Sequence, residues 1–153
     1  MLSFAKLPVM LALLLLAPLA AAQTNLGPLL DAGAKQLSPE EFKLEIVQRT
    51  IAGPTTSGGS IEVMYANNGL VQGTGIAPIS ARMLVASVTG EWRIDDSGRI
   101  CASMRLLPGT GGPVSGFTLP SRCQFWFRLG DTYFISDSNS DRSMRVLSRK
   151  LKQ

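Results

Sequence analysis

Two cysteines and several carboxylates are the residues of this chain that could carry chemistry. Cys101 and Cys123 are the only thiols, and 21 residues separate them. A redox motif would place its cysteines closer together, as in C-x-x-C. A zinc site would need more ligands than two cysteines, and the chain has no histidine. We therefore expect Cys101 and Cys123 to form a structural disulfide.

The absence of histidine also removes the usual general base and the Ser-His-Asp and Cys-His constellations. Carboxylate catalysis is the remaining route, and its candidates are Glu62, Glu91, Asp95, Asp96, Asp131, Asp137 and Asp141. Asp95 and Asp96 precede Ser97-Gly98, which is typical of a hairpin turn. Asp137, Asn139 and Asp141 alternate as calcium ligands can, but without the glycine and distal glutamate of an EF-hand. We expect no catalytic residue, no metal site, no cofactor and no enzymatic activity.

Aromatic and basic residues give a candidate binding surface. Trp126 lies between Arg122 and Arg128, and Arg105 belongs to the same candidate set. An exposed Trp126 could stack on a sugar or bind an acidic partner. The alternative is that Trp126 packs in the core or lies under the N-terminal helix, as aromatic residues commonly do.

The alternation of residues around the two cysteines contains a conflict. Cys101 shares its strand face with Arg105, whereas Cys123 shares its face with Phe125 and Phe127. A bridge inside the core would bring Arg105 inward, and a bridge outside would expose both phenylalanines. A bulge or an edge position near either cysteine removes the conflict, because one extra residue reverses the faces. An inward Arg105 would instead indicate a ligand site.

The first 22 residues have the pattern of a secretory signal peptide. Lys6 precedes an apolar run over residues 8–19, and Ala20-Ala21-Ala22 gives an A-x-A cleavage site before Gln23. An uncleaved N-terminal anchor is the alternative. No later segment is long and apolar enough to span a bilayer, so we expect no transmembrane segment after cleavage. We expect a periplasmic or secreted protein, whose disulfide would form in an oxidising compartment.

The remaining chain divides into a lead segment, residues 23–37, and a single β-rich domain, residues 38–153. Residues 23–91 carry four basic and six acidic side chains, whereas residues 92–153 carry ten basic and five acidic ones. The basic half could attract an anionic envelope surface, or its arginines could simply be solvated. Nucleic acid is not an expected partner for an exported chain with this modest charge.

Capping residues predict one clear helix before a series of strands. Ser38, Pro39 and Glu41 form a capping-box pattern that begins a helix ending near Gln48. An apolar helical turn could precede it in the lead segment, at Leu26, Leu29 and Leu30. Strands are predicted over residues 60–66, 70–76, 82–88, 90–94, 99–107, 122–129, 132–137 and 144–151. Asn-Gly and Gly-Asp pairs mark hairpins between them. We expect a mainly β fold, a small antiparallel barrel-like or sandwich domain of seven or eight strands with one N-terminal helix.

The segments GEWRIDDSGRICASM and RCQFWFRLGDTYFI carry a resemblance to a known group. They resemble a family of small exported proteobacterial domains of unknown function. The matching residues are Gly90, Trp92, Gly98, Cys101, Cys123, Trp126, Gly130, Asp131 and Tyr133. The resemblance implies a disulfide, a β-rich fold and a bacterial envelope setting. It implies no catalytic residues.

We therefore expect an exported, non-catalytic binding or inhibitory module of the bacterial envelope. Its partner would be an unknown protein, a glycan or a small apolar ligand held in the mouth of a barrel. One alternative is a structural or accessory envelope protein that acts through protein contacts. A second, less favoured alternative is a small hydrolase that uses two carboxylates.

Overall fold

The computed structural model describes residues 24–79, 82–109 and 116–153. The predicted signal peptide lies outside the described residues. The helices are α1 (Leu26–Asp31) and α2 (Pro39–Glu45). The strands are β1 (Lys35–Gln36), β2 (Thr50–Pro54), β3 (Ser60–Tyr65), β4 (Leu70–Ile79), β5 (Arg82–Ile94), β6 (Ile100–Pro108), β7 (Phe117–Thr118), β8 (Arg122–Leu129), β9 (Thr132–Ser136) and β10 (Val146–Leu151).

Eight of these strands form a closed antiparallel barrel. The order around the barrel is β2-β3-β4-β5-β6-β8-β9-β10, and β10 pairs with β2. The fold class predicted from the sequence is confirmed, and the barrel is closed rather than split into a sandwich. Sequential hairpins produce this meander because each short turn returns the chain beside the strand it has just left.

The barrel closes at a short seam between β6 and β8. Three residue pairs form the seam: Ile100 with Gln124, Cys101 with Cys123 and Ala102 with Arg122. Beyond it, the free edge of β6 pairs with the short strand β7, and that of β8 pairs with β1. Both short strands thus cover backbone groups that diverging barrel strands would otherwise leave unpaired.

The strand β5 joins two segments that the sequence predicts as separate strands. Gly90 is the reason that the prediction failed here, since glycine in a pattern of strand residues resembles a break. A Cβ atom at Gly90 would lie 2.0 Å from the carbonyl oxygen of Ser103 on β6. The missing side chain therefore allows the two strands to approach closely, and the strand continues through the glycine.

The strand β2 was not predicted, because Gly53-Pro54 reads as a breaker at its end. In the structure, Gly53 makes room for the neighbouring strand β10. A Cβ atom there would lie 2.3 Å from the carbonyl oxygen of Ser148 and 2.7 Å from Nη1 of Arg149. Glycine at this position is thus a packing requirement of the barrel.

Helix α2 closes one end of the barrel, which we call the helix end. The capping box is present as predicted: the Ser38 hydroxyl accepts from the Glu41 amide, and the Glu41 carboxylate accepts from the Ser38 amide. The helix ends at Glu45, earlier than predicted, and the chain turns through Gln48 with a positive φ of 65°. The Gln48 amide then donates to the carbonyl of Tyr65.

An aromatic cluster joins α2 to the barrel interior. Phe42 projects from α2 and makes edge contacts with Tyr65, Trp92 and Trp126, with ring centroids 5.1–5.5 Å apart. The indole nitrogen of Trp92 donates to the carbonyl of Ala66 at 2.8 Å, so its polar group is satisfied. The cluster fixes the helix against the barrel end.

The disulfide between Cys101 and Cys123 is confirmed. It lies on the outer face of the barrel, because the neighbouring Ile100 and Ala102 point inward. The expectation of a bulge or an edge position is wrong, since the pairing of β6 and β8 continues through both cysteines. The alternative, an inward Arg105 that would indicate a ligand site, is not observed either, because this side chain is exposed on the outer face.

A second apolar cluster explains how the bridge can face outward. Helix α1 lies outside the barrel and packs its leucines on the outer faces of β8, β9 and β10. The fully or nearly buried members of this cluster are Leu26, Leu29, Phe127, Phe134 and Val146, and Phe125 packs against them half-buried. The phenylalanines that share a face with Cys123 are therefore covered by α1, which contains Leu26, Leu29 and Leu30 of the lead segment.

Candidate ligand cavity

The barrel interior contains a cavity of about 430 Å³. Tyr65 and Trp126 form its floor and separate it from Phe42 at the helix end. It lies toward the opposite end, which we call the open end. Small-molecule sites in proteins commonly measure about 300–1,000 Å³. The cavity is thus large enough for a small ligand.

The walls of the cavity are apolar, and polar residues gather at its mouth. Residues from seven strands form the walls, among them Val63, Val88, Ile100, Met104, Leu106 and Ile135. The mouth carries Thr55, Ser57, Arg122 and Gln124. No aspartate or glutamate lines the cavity in the described part of the chain. The cavity therefore offers no carboxylate pair of the kind that the hydrolase hypothesis requires.

One charged side chain lies inside this apolar wall. Arg149 on β10 faces inward between Leu147 and Leu151 and is only 7% exposed. Its Nη1 atom donates to the carbonyl oxygens of Pro54 and Ser148, both at 2.8 Å. Arg149 thereby links β10 to the last residue of β2, in the space that Gly53 leaves open.

Arg149 has no carboxylate partner. All 11 aspartates and glutamates lie within the described residues, and none of them forms an ion pair with Arg149. Burial lowers the pKa of the Arg149 guanidinium, and the neighbouring Tyr65 opposes this shift. An arginine stays protonated even so, and the barrel therefore encloses an uncompensated positive charge.

Tyr65 lies near this guanidinium on the floor of the cavity. Burial raises the pKa of the Tyr65 hydroxyl to about 12, while the positive charge of Arg149 acts in the opposite direction. The hydroxyl is therefore neutral at pH 7 and keeps a proton to donate. A cation and a phenolic donor thus share one cavity whose walls are otherwise apolar.

The four residues predicted as a binding surface lie in four different settings. Trp126 is buried on the cavity floor, and Arg122 lies at the mouth, 3.6 Å from Asp137. Arg128 forms an ion pair with Glu45 of α2. Arg105 is exposed on the outer wall. The structure does not bring these side chains together as one patch.

Glu45 has a structural role at the helix end. Its carboxylate accepts hydrogen bonds from Arg128 on β8 and from Tyr133 on β9, the latter at 3.0 Å. Burial and the hydrogen bond to Glu45 raise the pKa of the Tyr133 hydroxyl. The pair ties α2 to two barrel strands, so Arg128 serves to hold the helix in place.

Four of the seven acidic residues that the sequence offered for chemistry have structural partners, and one of them, Glu62, pairs with Lys152. Asp95 accepts from the amides of Ser97 and Arg99, as expected for its turn. Its carboxylate also lies near Cys101 and Cys123, but their sulfur atoms are bonded to each other and are not thiolate ligands. The carboxylates of the calcium candidates are similarly occupied: Asp137 by Gln124, and Asp141 by Ser143.

Sequence reasoning missed Arg149 and Tyr65 as site residues. The signal for Arg149 was present in the segment VLSRKL, where strand alternation places it on one face with Leu147 and Leu151. A lone arginine on an apolar strand face indicates an inward charge. Tyr65 shares its face with Ile61 and Val63, which indicates burial but no ligand.

Comparison with known proteins adds no relative. No family of known proteins, no curated protein and no solved structure matches this chain. The resemblance to exported domains of unknown function therefore stays a prediction. Within the residues that the structure describes, no helix has the length and apolar character needed to cross a bilayer.

Proposed function

We propose that this protein is an exported, non-catalytic binding module that holds a small, mainly apolar molecule inside its barrel. The observation that carries the proposal is the cavity of about 430 Å³, with apolar walls and a polar mouth. Apolar surface buried on binding contributes about 25 cal/mol per Å². Such walls therefore favour an apolar ligand and give no strong attachment to a sugar, which needs many hydrogen-bonding groups.

The proposed location is the bacterial periplasm or the exterior. Two independent features support it: the signal-peptide pattern of residues 1–22 and the disulfide, a bond that persists in oxidising compartments. The excess of basic residues in the second half of the chain is compatible with residence near an anionic envelope surface.

A second candidate function is an accessory role through protein contacts. Four apolar side chains are exposed near the open end, on the outer faces of β4, β5 and β6: Ile76, Met83, Val85 and Leu107. Val85 is 61% exposed and Met83 is 59% exposed. Contiguous exposed apolar side chains commonly mark contact surfaces. This role would leave the interior cavity without a ligand function.

Titration of the oxidised protein with a neutral fluorescent dye, N-phenyl-naphthylamine, separates the two candidates. Ala102→Phe places a ring in the cavity, whereas Ser103→Phe places the same ring on the outer face of the same strand. We expect saturable one-to-one binding that Ala102→Phe abolishes and Ser103→Phe preserves. Equal dye binding by both variants, or no saturable binding by the unmodified protein, would reject the cavity as a ligand site.

A further inference from the structure

The guanidinium of Arg149 has donors left over after its contacts with the protein. Its Nη1 atom uses both hydrogens on the carbonyls of Pro54 and Ser148. Its Nε and Nη2 atoms form no hydrogen bond with any described residue. Yet no fully buried side-chain nitrogen or oxygen among the described residues lacks a partner. The Nε and Nη2 atoms therefore reach open space, and the space that Arg149 borders is the cavity.

The geometry of these donors is that of a carboxylate clamp. The Nε–H and one Nη2–H of a guanidinium point in parallel and match the two oxygens of a carboxylate. Nη1 is held by two carbonyl oxygens, and this orients the guanidinium plane before any ligand arrives. The Tyr65 hydroxyl, also bordering the cavity, adds a third donor. Preorganised donors of this kind lower the entropic cost of binding.

We infer that the barrel cavity takes an apolar carboxylate, a molecule of the fatty-acid type, whose carboxylate pairs with Arg149 and Tyr65 and whose apolar part fills the rest of the barrel. The inference rests on the proposed function, because it assumes that the cavity holds a ligand. It adds the chemical class of that ligand and the residues that select it.

The charge balance of the cavity supports an anion over a neutral or cationic ligand. Arg149 is the one buried charged residue in the described part of the chain, and no carboxylate of the protein offsets it. A buried charge without a partner is costly, and a ligand carboxylate would supply the missing partner. One carboxylate matches one guanidinium in charge, whereas an alkyl phosphate would bring a second negative charge.

A purely structural role for Arg149 is the competing explanation. Its bond to the carbonyl of Pro54 joins β10 to β2, where the ladder between these strands pairs only Lys150 with Ala52 and Leu151 with Ile51. A structural role of this kind would use only the Nη1 atom of Arg149. It would not explain why the Nε and Nη2 atoms of Arg149 and the hydroxyl of Tyr65 border the same cavity.

A ligand series with one chain length tests the inference on the oxidised protein near neutral pH. Decanoate, decanol, decylamine and decyl phosphate compete with the neutral dye for the cavity. We expect decanoate to bind about ten- to hundredfold more tightly than decanol, since hydrogen bonds to charged groups contribute about 1.5–3 kcal/mol. Decylamine should bind most weakly, because two cations would meet in one cavity.

Three variants test whether the preference depends on Arg149. Arg149→Met should bring the affinity for decanoate down to that for decanol, and it should leave decanol binding in place. Lys150→Met removes the same charge from the exposed neighbouring position and should keep the preference. Arg149→Lys retains the charge without the fork of two nitrogens, and its preference should be intermediate.

The possible failures are distinguishable. Binding of neither the dye nor any decyl compound would reject the proposed function itself. Decanol binding as tightly as decanoate, or Arg149→Met retaining the preference, would reject the carboxylate clamp and leave the cavity as an apolar site. Tighter binding of decyl phosphate than of decanoate would overturn the assignment of a carboxylate. If Arg149→Met does not fold, the ligand series on the unmodified protein still decides.

Discussion

Removing the disulfide should destabilise the barrel by an amount that the structure allows us to estimate. Cys101 and Cys123 face each other in the β6–β8 seam and are 22 positions apart in sequence. In the chain-entropy model, closing a loop of this size in the unfolded chain corresponds to about 3 kcal/mol at 25 °C. We therefore expect the Cys101→Ala/Cys123→Ala variant to lose about 3 kcal/mol in free energy of unfolding.

Urea unfolding followed by tryptophan fluorescence measures this loss. Trp92 and Trp126 both pack against Phe42 inside the barrel, so their emission reports the opening of the core. The oxidised protein, the chemically reduced protein and the double variant are compared, and the last two should agree. For a domain of this size, a loss of about 3 kcal/mol corresponds to a decrease of about 10 °C in Tm.

Dye binding in the cavity provides a second test of this prediction, because the cavity borders the β6–β8 seam. Only three residue pairs close the barrel between β6 and β8, and the disulfide lies in the middle one. The cavity borders both flanking pairs, at Ile100 with Gln124 and at Ala102 with Arg122. Loss of the bridge should therefore weaken dye binding as well. A stability change below about 1 kcal/mol, or a reduced protein as stable as the oxidised one, would refute the reasoning.

Three further predictions concern the helix end and the turns. Phe42→Ala should cost about 3–5 kcal/mol in thermal or urea unfolding, because Phe42 is 1% exposed, whereas Leu44→Ala at a 77% exposed position should change stability by less than about 0.5 kcal/mol. Glu45→Ala should cost about 1–2 kcal/mol in the same assay, since it removes the two hydrogen bonds that hold α2 to the barrel; an unchanged midpoint would contradict that role. A backbone hydrogen bond from Arg99 lowers the pKa of Asp95 below its ordinary value of 3.8. The carboxylate of Asp95 therefore binds a proton more tightly in the unfolded chain than in the folded protein, and the stability that it contributes is present above about pH 4 and lost below it. The free energy of unfolding, measured across that range, should therefore decrease less on acidification in Asp95→Asn.

Local signals in the sequence predicted much of the fold. The Asn68-Gly69 and Gly130-Asp131 pairs mark hairpins that the structure contains, because glycine at each turn adopts the positive φ that the turn requires. The Ser38–Glu41 capping box fixed the start of α2 for the same local reason. Such features depend on a few neighbouring residues, so the sequence alone determines them.

The position of the disulfide and the nature of the cavity were not predictable in this way. The outward bridge depends on α1, which covers Phe127 from a segment about 100 residues earlier in the chain. The cavity depends on the closure of eight strands, which no local pattern encodes. Arg149 is recognisable as a site residue only in the closed barrel. Closure brings Gly53 and Tyr65 close to Arg149 and leaves its guanidinium without a carboxylate partner.

The position of a bound ligand is the most direct test of the central claim, and methyl NMR of the oxidised protein titrated with decanoate measures it. Val63, Val88 and Leu106 line the cavity, whereas Val85 and Leu107 present exposed side chains on the outer faces of β5 and β6. We predict saturable shifts of the three inward methyl groups and little change at Val85. Shifts confined to the outer residues, or no saturable shift at the inward ones, would contradict a ligand held inside the barrel.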